Sequence, residues 1–150
     1  MNRVLLILAI SVLSASLLAQ ESPMTPKAAR VRILQGPKIE LARGQLTIIR
    51  WTTNNPGGSP VHHGIVHYGT DPRALSATAN SPIRLNPDHS STVFRVRIDD
   101  LQPRTTYYYT VDSMEANGKG DGARSAVKHF TTRCYRRDRP DKSTTNRRIR

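Results

Sequence analysis

The chain has very little cysteine: Cys134 is the only one among its 150 residues. No disulfide can therefore form within one molecule, and a folded domain must be held together by packing alone. In an oxidising compartment a lone exposed thiol can join two chains, so Cys134 predicts a disulfide-linked dimer on one interpretation. On the other it is an incidental free thiol in a loose tail.

Acidic residues are also scarce, with 11 Asp and Glu against 23 Lys and Arg and a formal net charge of +12. Residues 133–150 carry eight basic and two acidic residues, and so half of that charge. A surface of this kind attracts anionic partners. The predicted polyanion-binding residues are the tail arginines Arg136, Arg137, Arg139, Arg147, Arg148 and Arg150.

Two alternatives to polyanion binding by residues 133–150 stay open. One is an inert, solvated terminus. The other is nucleic-acid binding, which we do not expect, because an exported protein meets anionic envelope polysaccharide or lipid headgroups more readily than genomic DNA. The expected partner is therefore an anionic envelope polymer or an unknown protein, and not a small-molecule substrate.

Long hydrophobic runs are missing except near the start of the chain. There Arg3 precedes an apolar run from Val4 to Leu13, and small residues lead to a cleavage point after Ala19. Residues 1–19 are thus predicted to be a signal peptide of a secreted or periplasmic protein. A membrane anchor is the alternative, but serines dilute the run below the roughly 20 apolar residues of a span. No cysteine stands where lipid attachment needs one.

Convincing helical periodicity is absent from the rest of the chain, and strand patterns take its place. We expect a flexible leader over residues 20–28, one sandwich domain over 29–132 and a disordered basic tail over 133–150. In residues 92–98 apolar and basic side chains alternate, which is typical of a strand wet on one face. Residues 73–87, with two prolines in their second half, are predicted to have little regular structure. The pattern as a whole predicts an all-β, seven-stranded antiparallel sandwich.

One motif narrows this prediction. Leu101, Pro103, Thr105 and Tyr107 form the pattern L-x-P-x-T-x-Y and run into an aromatic, β-branched segment. The pattern resembles the corner of immunoglobulin-like fibronectin type III domains, in which a buried tyrosine donates its hydroxyl to the turn backbone. The resemblance implies structural roles for Leu101, Pro103 and Tyr107, with Trp51 as the core anchor.

A narrower likeness rests on several short segments. They are Gln35-Gly36-Pro37, Trp51-Thr52-Thr53, Val66 to Thr70, His89, Leu101 to Tyr109 and Phe130-Thr131-Thr132. Together they resemble the N-terminal sandwich domain of purple acid phosphatases, which precedes a separate two-metal catalytic domain. The metal-binding motifs G-D-x-x-Y and G-N-H-E of that catalytic domain do not occur in this sequence; Gly120-Asp121-Gly122 is the nearest fragment, and a turn explains it. The resemblance therefore implies a fold and no catalytic residue.

Histidines offer the remaining candidates for chemistry. His63 and His67 share a strand face at a separation of about 13 Å, which is too far for one metal, and His62 points the other way. His89 and His129 could approach only through tertiary packing. No G-x-S-x-G elbow frames a serine nucleophile, so we expect no enzyme, no metal and no cofactor.

Two surface features have a functional and a structural interpretation. Arg95 and Arg97 either extend the basic surface or keep the sheet soluble. The loops Asn54 to Pro60 and Gly118 to Gly122 are possible recognition surfaces, although their composition predicts flexibility. The sequence thus predicts an exported, noncatalytic adhesion or scaffolding module. The alternatives are an accessory domain of a metallophosphatase encoded elsewhere and a purely structural envelope protein.

Overall fold

The computed structural model describes residues 26–133, and these form seven β-strands without a helix. None of the described residues thus belongs to a helix that could cross a bilayer. The strands are β1 Ile33–Arg43, β2 Leu46–Asn54, β3 Val61–Gly69, β4 Ala77–Arg84, β5 Ser91–Ile98, β6 Thr106–Glu115 and β7 Lys128–Thr131. The predicted signal peptide, Cys134 and the six tail arginines lie outside the described residues.

The strands form two antiparallel sheets, in the order β1-β2-β5 and β4-β3-β6-β7. The predicted all-β class and the count of seven strands are confirmed. The register of β1 against β2 shifts between Gln35 and Lys38. Glycine and proline at positions 36 and 37 account for this interruption.

The prediction of little regular structure between residues 73 and 87 is wrong. Most of that segment forms β4, which pairs with β3 from Tyr68 opposite Ala77 to Val61 opposite Arg84. Pro82 is tolerated because β4 is the edge strand of its sheet and pairs with a neighbour on one side only. Proline lacks a backbone N–H, and an edge strand has no second neighbour that would need this donor. Ala79 and Ile83 of β4 pack against the core.

The core lies between the sheets and follows the predicted alternation. In β5 the side chains of Phe94, Val96 and Ile98 are buried while Arg95 and Arg97 are exposed. Trp51 is 1% exposed, and its indole stacks on Phe94 with ring centroids 5.3 Å apart. The other buried core residues are Ile49, Val66, Leu101, Tyr107, Tyr109, Val111 and Phe130.

The tyrosine corner forms where the motif predicts it, but its hydrogen bond runs in the opposite direction. The hydroxyl oxygen of Tyr107 accepts from the backbone N–H of Gln102 at 3.0 Å, whereas the resemblance implies a donating hydroxyl. The ring of Tyr107 stacks on Phe130 at 5.8 Å. Leu101 is 2% exposed and donates its N–H to Gln45 at 3.1 Å, which ties the corner to the β1–β2 turn.

Candidate functional site

The two ends of the sandwich are built differently. One end, here the corner end, contains the turn at residues 44–45 and the corner at residues 99–105. The other, here the loop end, contains the β2–β3 loop at residues 55–60 and the β6–β7 connection at residues 116–127. The polar side chains of chemical interest meet at the loop end.

Strand register brings two of these side chains together. His62 near the start of β3 pairs with Glu115 at the end of β6. The connection after β6 then folds back, with Met114 bridged to Gly120 and the N–H of Asp121 donating to Ser113 at 2.9 Å. This reversal places the carboxylate of Asp121 beside His62, with Oδ1 3.4 Å from Nε2.

Lys27 completes the group from the other side. Its ammonium donates to Glu115 Oε1 and, at 2.8 Å, to Asp121 Oδ1. We call Lys27, His62, Glu115 and Asp121 the polar cluster. The lysine side chain is 36% exposed, whereas that of Asp121 is fully buried. Lys27 is therefore the member of the cluster that faces solvent.

The chain around Lys27 lies against the domain. Ala28 donates its N–H to Pro56 at 2.8 Å. Gly58, with φ +75°, leaves room for the lysine, because a Cβ at this position would stand 3.0 Å from Lys27 Cδ. Residues 26–28, assigned to the leader from sequence, thus make specific contacts with the loop end.

Lys27 and Glu115 of the cluster each stabilise the charged form of the other. The hydrogen bond from Lys27 lowers the pKa of Glu115 below its ordinary value of 4.5, against the effect of burial. Burial lowers the pKa of Lys27, but hydrogen bonds from its ammonium to Asp121 and Glu115 outweigh this, and the pKa is raised above 10.5. Both groups are therefore charged over the neutral range.

His62 differs from the other members because its polar atoms are unpaired. Its side chain is fully buried, and neither Nδ1 nor Nε2 has a hydrogen-bond partner within the described part of the chain. Nε2 lies 3.4 Å from Asp121 Oδ1, but the approach does not have hydrogen-bond geometry. Buried polar atoms are normally satisfied, and an unpaired one costs free energy.

The cluster also brings a serine, a histidine and an aspartate together, but not as a nucleophilic triad. Ser113 Oγ donates at 2.7 Å to Asp121 Oδ2. A triad requires the serine to donate to the imidazole and the imidazole to donate to the carboxylate. Here the serine donates to the carboxylate and the imidazole takes no part, so the hydrogen-bond order differs from that of a triad.

Arg95 and Arg97 each lie beside a carboxylate. Arg95 Nε donates to Glu40 Oε2 at 2.8 Å, and Arg97 Nε donates to both oxygens of Asp99 at 2.8 Å. Their charges are therefore balanced by adjacent carboxylates. This arrangement supports the solubility role over an extended basic surface.

The histidines lie largely as the strand pattern predicts. His62 is buried on the inner face of β3, and His63 and His67 lie half-buried on the outer face. His67 Nε2 lies 3.3 Å from Asp112 Oδ2, and Arg124 Nη2 reaches the same oxygen at 3.4 Å. No pair of these histidines forms a common site.

Sequence reasoning missed the polar cluster. It considered His62 only with other histidines, and it treated Asp121 as part of a turn. Lys27 lies 88 positions before Glu115 and 94 positions before Asp121, so no local motif connects them. The one available signal was the glycine-rich loop around Asp121, which directly follows the strand that pairs with β3.

Residues 38–132 match the family described as the N-terminal domain of purple acid phosphatase. This domain is the noncatalytic part of those enzymes. The matched range includes β2 to β7, the second half of β1 and three members of the polar cluster; Lys27 precedes it.

Solved structures with similar chains include two with fibronectin domains. The FN5 domain of Drosophila Lar is 19% identical and covers 68% of this chain and 95% of its own, with a TM-score of 0.39. The FN1-FN3 domains of chicken CNTN1 are 18% identical and cover 75% and 34%, with a TM-score of 0.36. The sensor domain of the anti-sigma factor RsgI4 of Pseudobacteroides cellulosolvens is 17% identical and covers 70% and 89%, with a TM-score of 0.46. No curated protein matches the chain.

Proposed function

Because the chain belongs to the purple acid phosphatase N-terminal domain family, we propose that it is an exported, noncatalytic binding module attached to anionic envelope polymers by its basic tail. The family match over residues 38–132 is the observation that carries the noncatalytic part of this proposal. In this proposal, attachment of the protein to the anionic polymer depends on the charge of its surface.

Charge placement supports the tail as the attachment segment. Residues 133–150 hold eight basic and two acidic residues, and so half of the net charge of +12. Within the described part of the chain, Arg95 and Arg97 are each paired with a carboxylate. When arginines neutralise the phosphates or sulfates of a polyanion, bound counterions are released, and this favours binding at low salt.

The attachment test compares three full-length proteins on an immobilised sulfated polymer eluted with a salt gradient. In the first variant Arg136, Arg137, Arg139, Arg147, Arg148 and Arg150 are replaced by Gln. The matched control carries Arg95→Gln and Arg97→Gln. We expect the tail variant to elute at much lower salt than the original protein and the control to elute close to it. Equal elution of the tail variant and the original protein would show that the tail is inert.

Export and dimer formation have direct tests. Expression of the full chain in an exporting host, followed by N-terminal sequencing, should give a mature protein that starts at Gln20. An intact Met1 would contradict the signal peptide. A non-reducing gel of the original protein beside Cys134→Ser tests the proposed disulfide dimer, which should be lost in the variant.

A second candidate function follows from the family match. The chain would then be an accessory domain associated with a metallophosphatase encoded elsewhere. Phosphatase assays with added iron, zinc or manganese should show no turnover by the purified chain under either proposal, and turnover would contradict both. Stimulation of a separate metallophosphatase domain by the chain would favour the accessory role. Failure of every binding assay would favour a purely structural envelope protein.

A further inference from the structure

The polar cluster has the composition of a metal site. One ligand atom each from His62, Glu115 and Asp121 lie within 4.8 Å of one another. Imidazole nitrogen and carboxylate oxygen together are ligands that zinc and neighbouring transition metals accept. The position is enclosed, because His62 and Asp121 have fully buried side chains and that of Glu115 is 10% exposed.

The buried, unpaired imidazole is a second observation that points to a ligand at this position. His62 is fully buried, and neither of its ring nitrogens makes a hydrogen bond. Its Nε2 faces Asp121 Oδ1 at 3.4 Å. That separation matches the edge of a tetrahedral zinc site, since bonds of about 2.0–2.2 Å place two ligands about 3.3–3.6 Å apart. A metal would give Nε2 the partner that it lacks.

Both carboxylates are already oriented toward the same point. Ser113 Oγ donates to Asp121 Oδ2 at 2.7 Å, which leaves Oδ1 for the cluster. Asn117 Nδ2 donates to Glu115 Oε2 at 3.4 Å, which leaves Oε1. In metal sites, hydrogen bonds from residues that do not themselves bind the metal hold the ligand side chains in position.

A cation already lies between these oxygens, namely the ammonium of Lys27. It satisfies Glu115 Oε1 and Asp121 Oδ1 and leaves His62 Nε2 unpaired. A divalent metal bound at the same place would interact with all three residues. The lysine side chain is 36% exposed and comes from the leader, so it can swing into solvent without disturbing a strand.

We propose that His62, Glu115 and Asp121 form a binding site for a divalent transition metal, with Zn²⁺ as the probe, and that the ammonium of Lys27 competes with the metal for this site. Three protein ligands leave a fourth position of a tetrahedral metal for water. Metal binding and docking of Lys27 exclude each other, so the metal loosens the contact of the leader with the loop end.

The test uses the full-length chain carrying Cys134→Ser, so that the thiol is not a ligand. After removal of metals with a chelator, Zn²⁺ binding is measured by calorimetry, and Co²⁺ is added separately to record the visible bands of a tetrahedral site. His62→Gln removes one ligand, and His129→Gln is the matched control because His129 is exposed on β7. Circular dichroism checks that each variant is folded.

We expect one zinc per chain in the parent and in His129→Gln. Loss of a residue that only hydrogen-bonds to a metal ligand lowers metal affinity by about 10- to 100-fold. His62→Gln removes a ligand itself, so its zinc affinity should fall by at least this much. Equal zinc affinity in the parent and His62→Gln would overturn the site. If His62→Gln does not fold, Asp121→Asn takes its place with the same expectation.

Lys27→Met separates a metal site from a purely structural ion pair. It removes the competing ammonium and keeps the ligands, so zinc should bind about 10-fold more tightly, within the usual range for coupled ligands. An ion pair without a metal function predicts no gain. Unchanged or weaker zinc binding in Lys27→Met would contradict the competition.

Discussion

The corner end and the loop end of this sandwich close the same core by different means. At the corner end, the bond from Gln102 N–H to the Tyr107 hydroxyl joins residues five positions apart. At the loop end, Lys27 contacts carboxylates 88 and 94 positions away. At the corner end the Tyr107 hydroxyl has a hydrogen-bond partner, whereas at the loop end the buried imidazole of His62 has none among the described residues. The corner bond is therefore local in sequence, whereas the contacts of the polar cluster are long-range.

The largest expected effect is at the corner end. Leu101→Ala should lower the free energy of unfolding by about 2–5 kcal/mol, because the leucine is almost fully buried and its loss leaves a cavity. Chemical denaturation measures this change. Leu41→Ala, at an exposed leucine of β1, is the control and should cost much less. Similar losses in the two variants would contradict the central role of the corner.

A smaller loss is expected for Tyr107→Phe. The ring keeps its stacking on Phe130, but Gln102 N–H loses its acceptor, which should cost about 1 kcal/mol. For a domain of this size that is a fall in melting temperature of about 4–8 °C. Binding to the anionic polymer should not change, because the tail is untouched. Equal melting temperatures in the two proteins would refute the corner hydrogen bond.

The opposite sign is expected for His62→Leu at the loop end. In the presence of a chelator, replacing an unpaired buried imidazole by an apolar side chain should raise the free energy of unfolding by about 1 kcal/mol. With saturating Zn²⁺ the original protein should become the more stable of the two, because binding to the native state stabilises it. A destabilised variant in the chelator would show that His62 has a partner in solution.

The smallest effect concerns pH. Lys27→Met should cost about 0.2–1 kcal/mol at neutral pH, as exposed ion pairs do, because the lysine is partly in water. Glu115 also faces His62, which lowers its pKa, and Asp121, which raises it. The free energies of unfolding of the original protein and of Lys27→Met are measured by chemical denaturation in the presence of a chelator at a series of pH values.

The sign of the pH effect follows from the two shifts. The pKa of Glu115 is lowered, so its contribution is full above 4.5 and disappears as the pH falls through the folded value. The pKa of Lys27 is raised, so its contribution is full below 10.5 and disappears as the pH rises through the folded value. The difference between the original protein and Lys27→Met should therefore shrink at both extremes. A constant difference would mean that the ion pair does not contribute.

Strand β4 shows where sequence patterns stop being informative. Its residues are small or polar, and Pro82 breaks the pattern, so residues 73–87 predict a loop. The neighbouring strand β3 supplies the backbone partners that make the segment a strand, and an edge position removes the penalty for proline. The strand propensity of such a segment is set by its neighbours.

The sequence by itself determined the β class, the strands with clear alternation and the corner. These features depend on side-chain period and on contacts within a few residues, both of which are visible along the chain. Tertiary structure alone decided that Lys27, His62, Glu115 and Asp121 meet, because strand register and the reversal after Met114 place them together. The physical reason is that register is selected by the burial of whole strands, and the polar residues at strand ends are carried to wherever that packing places them.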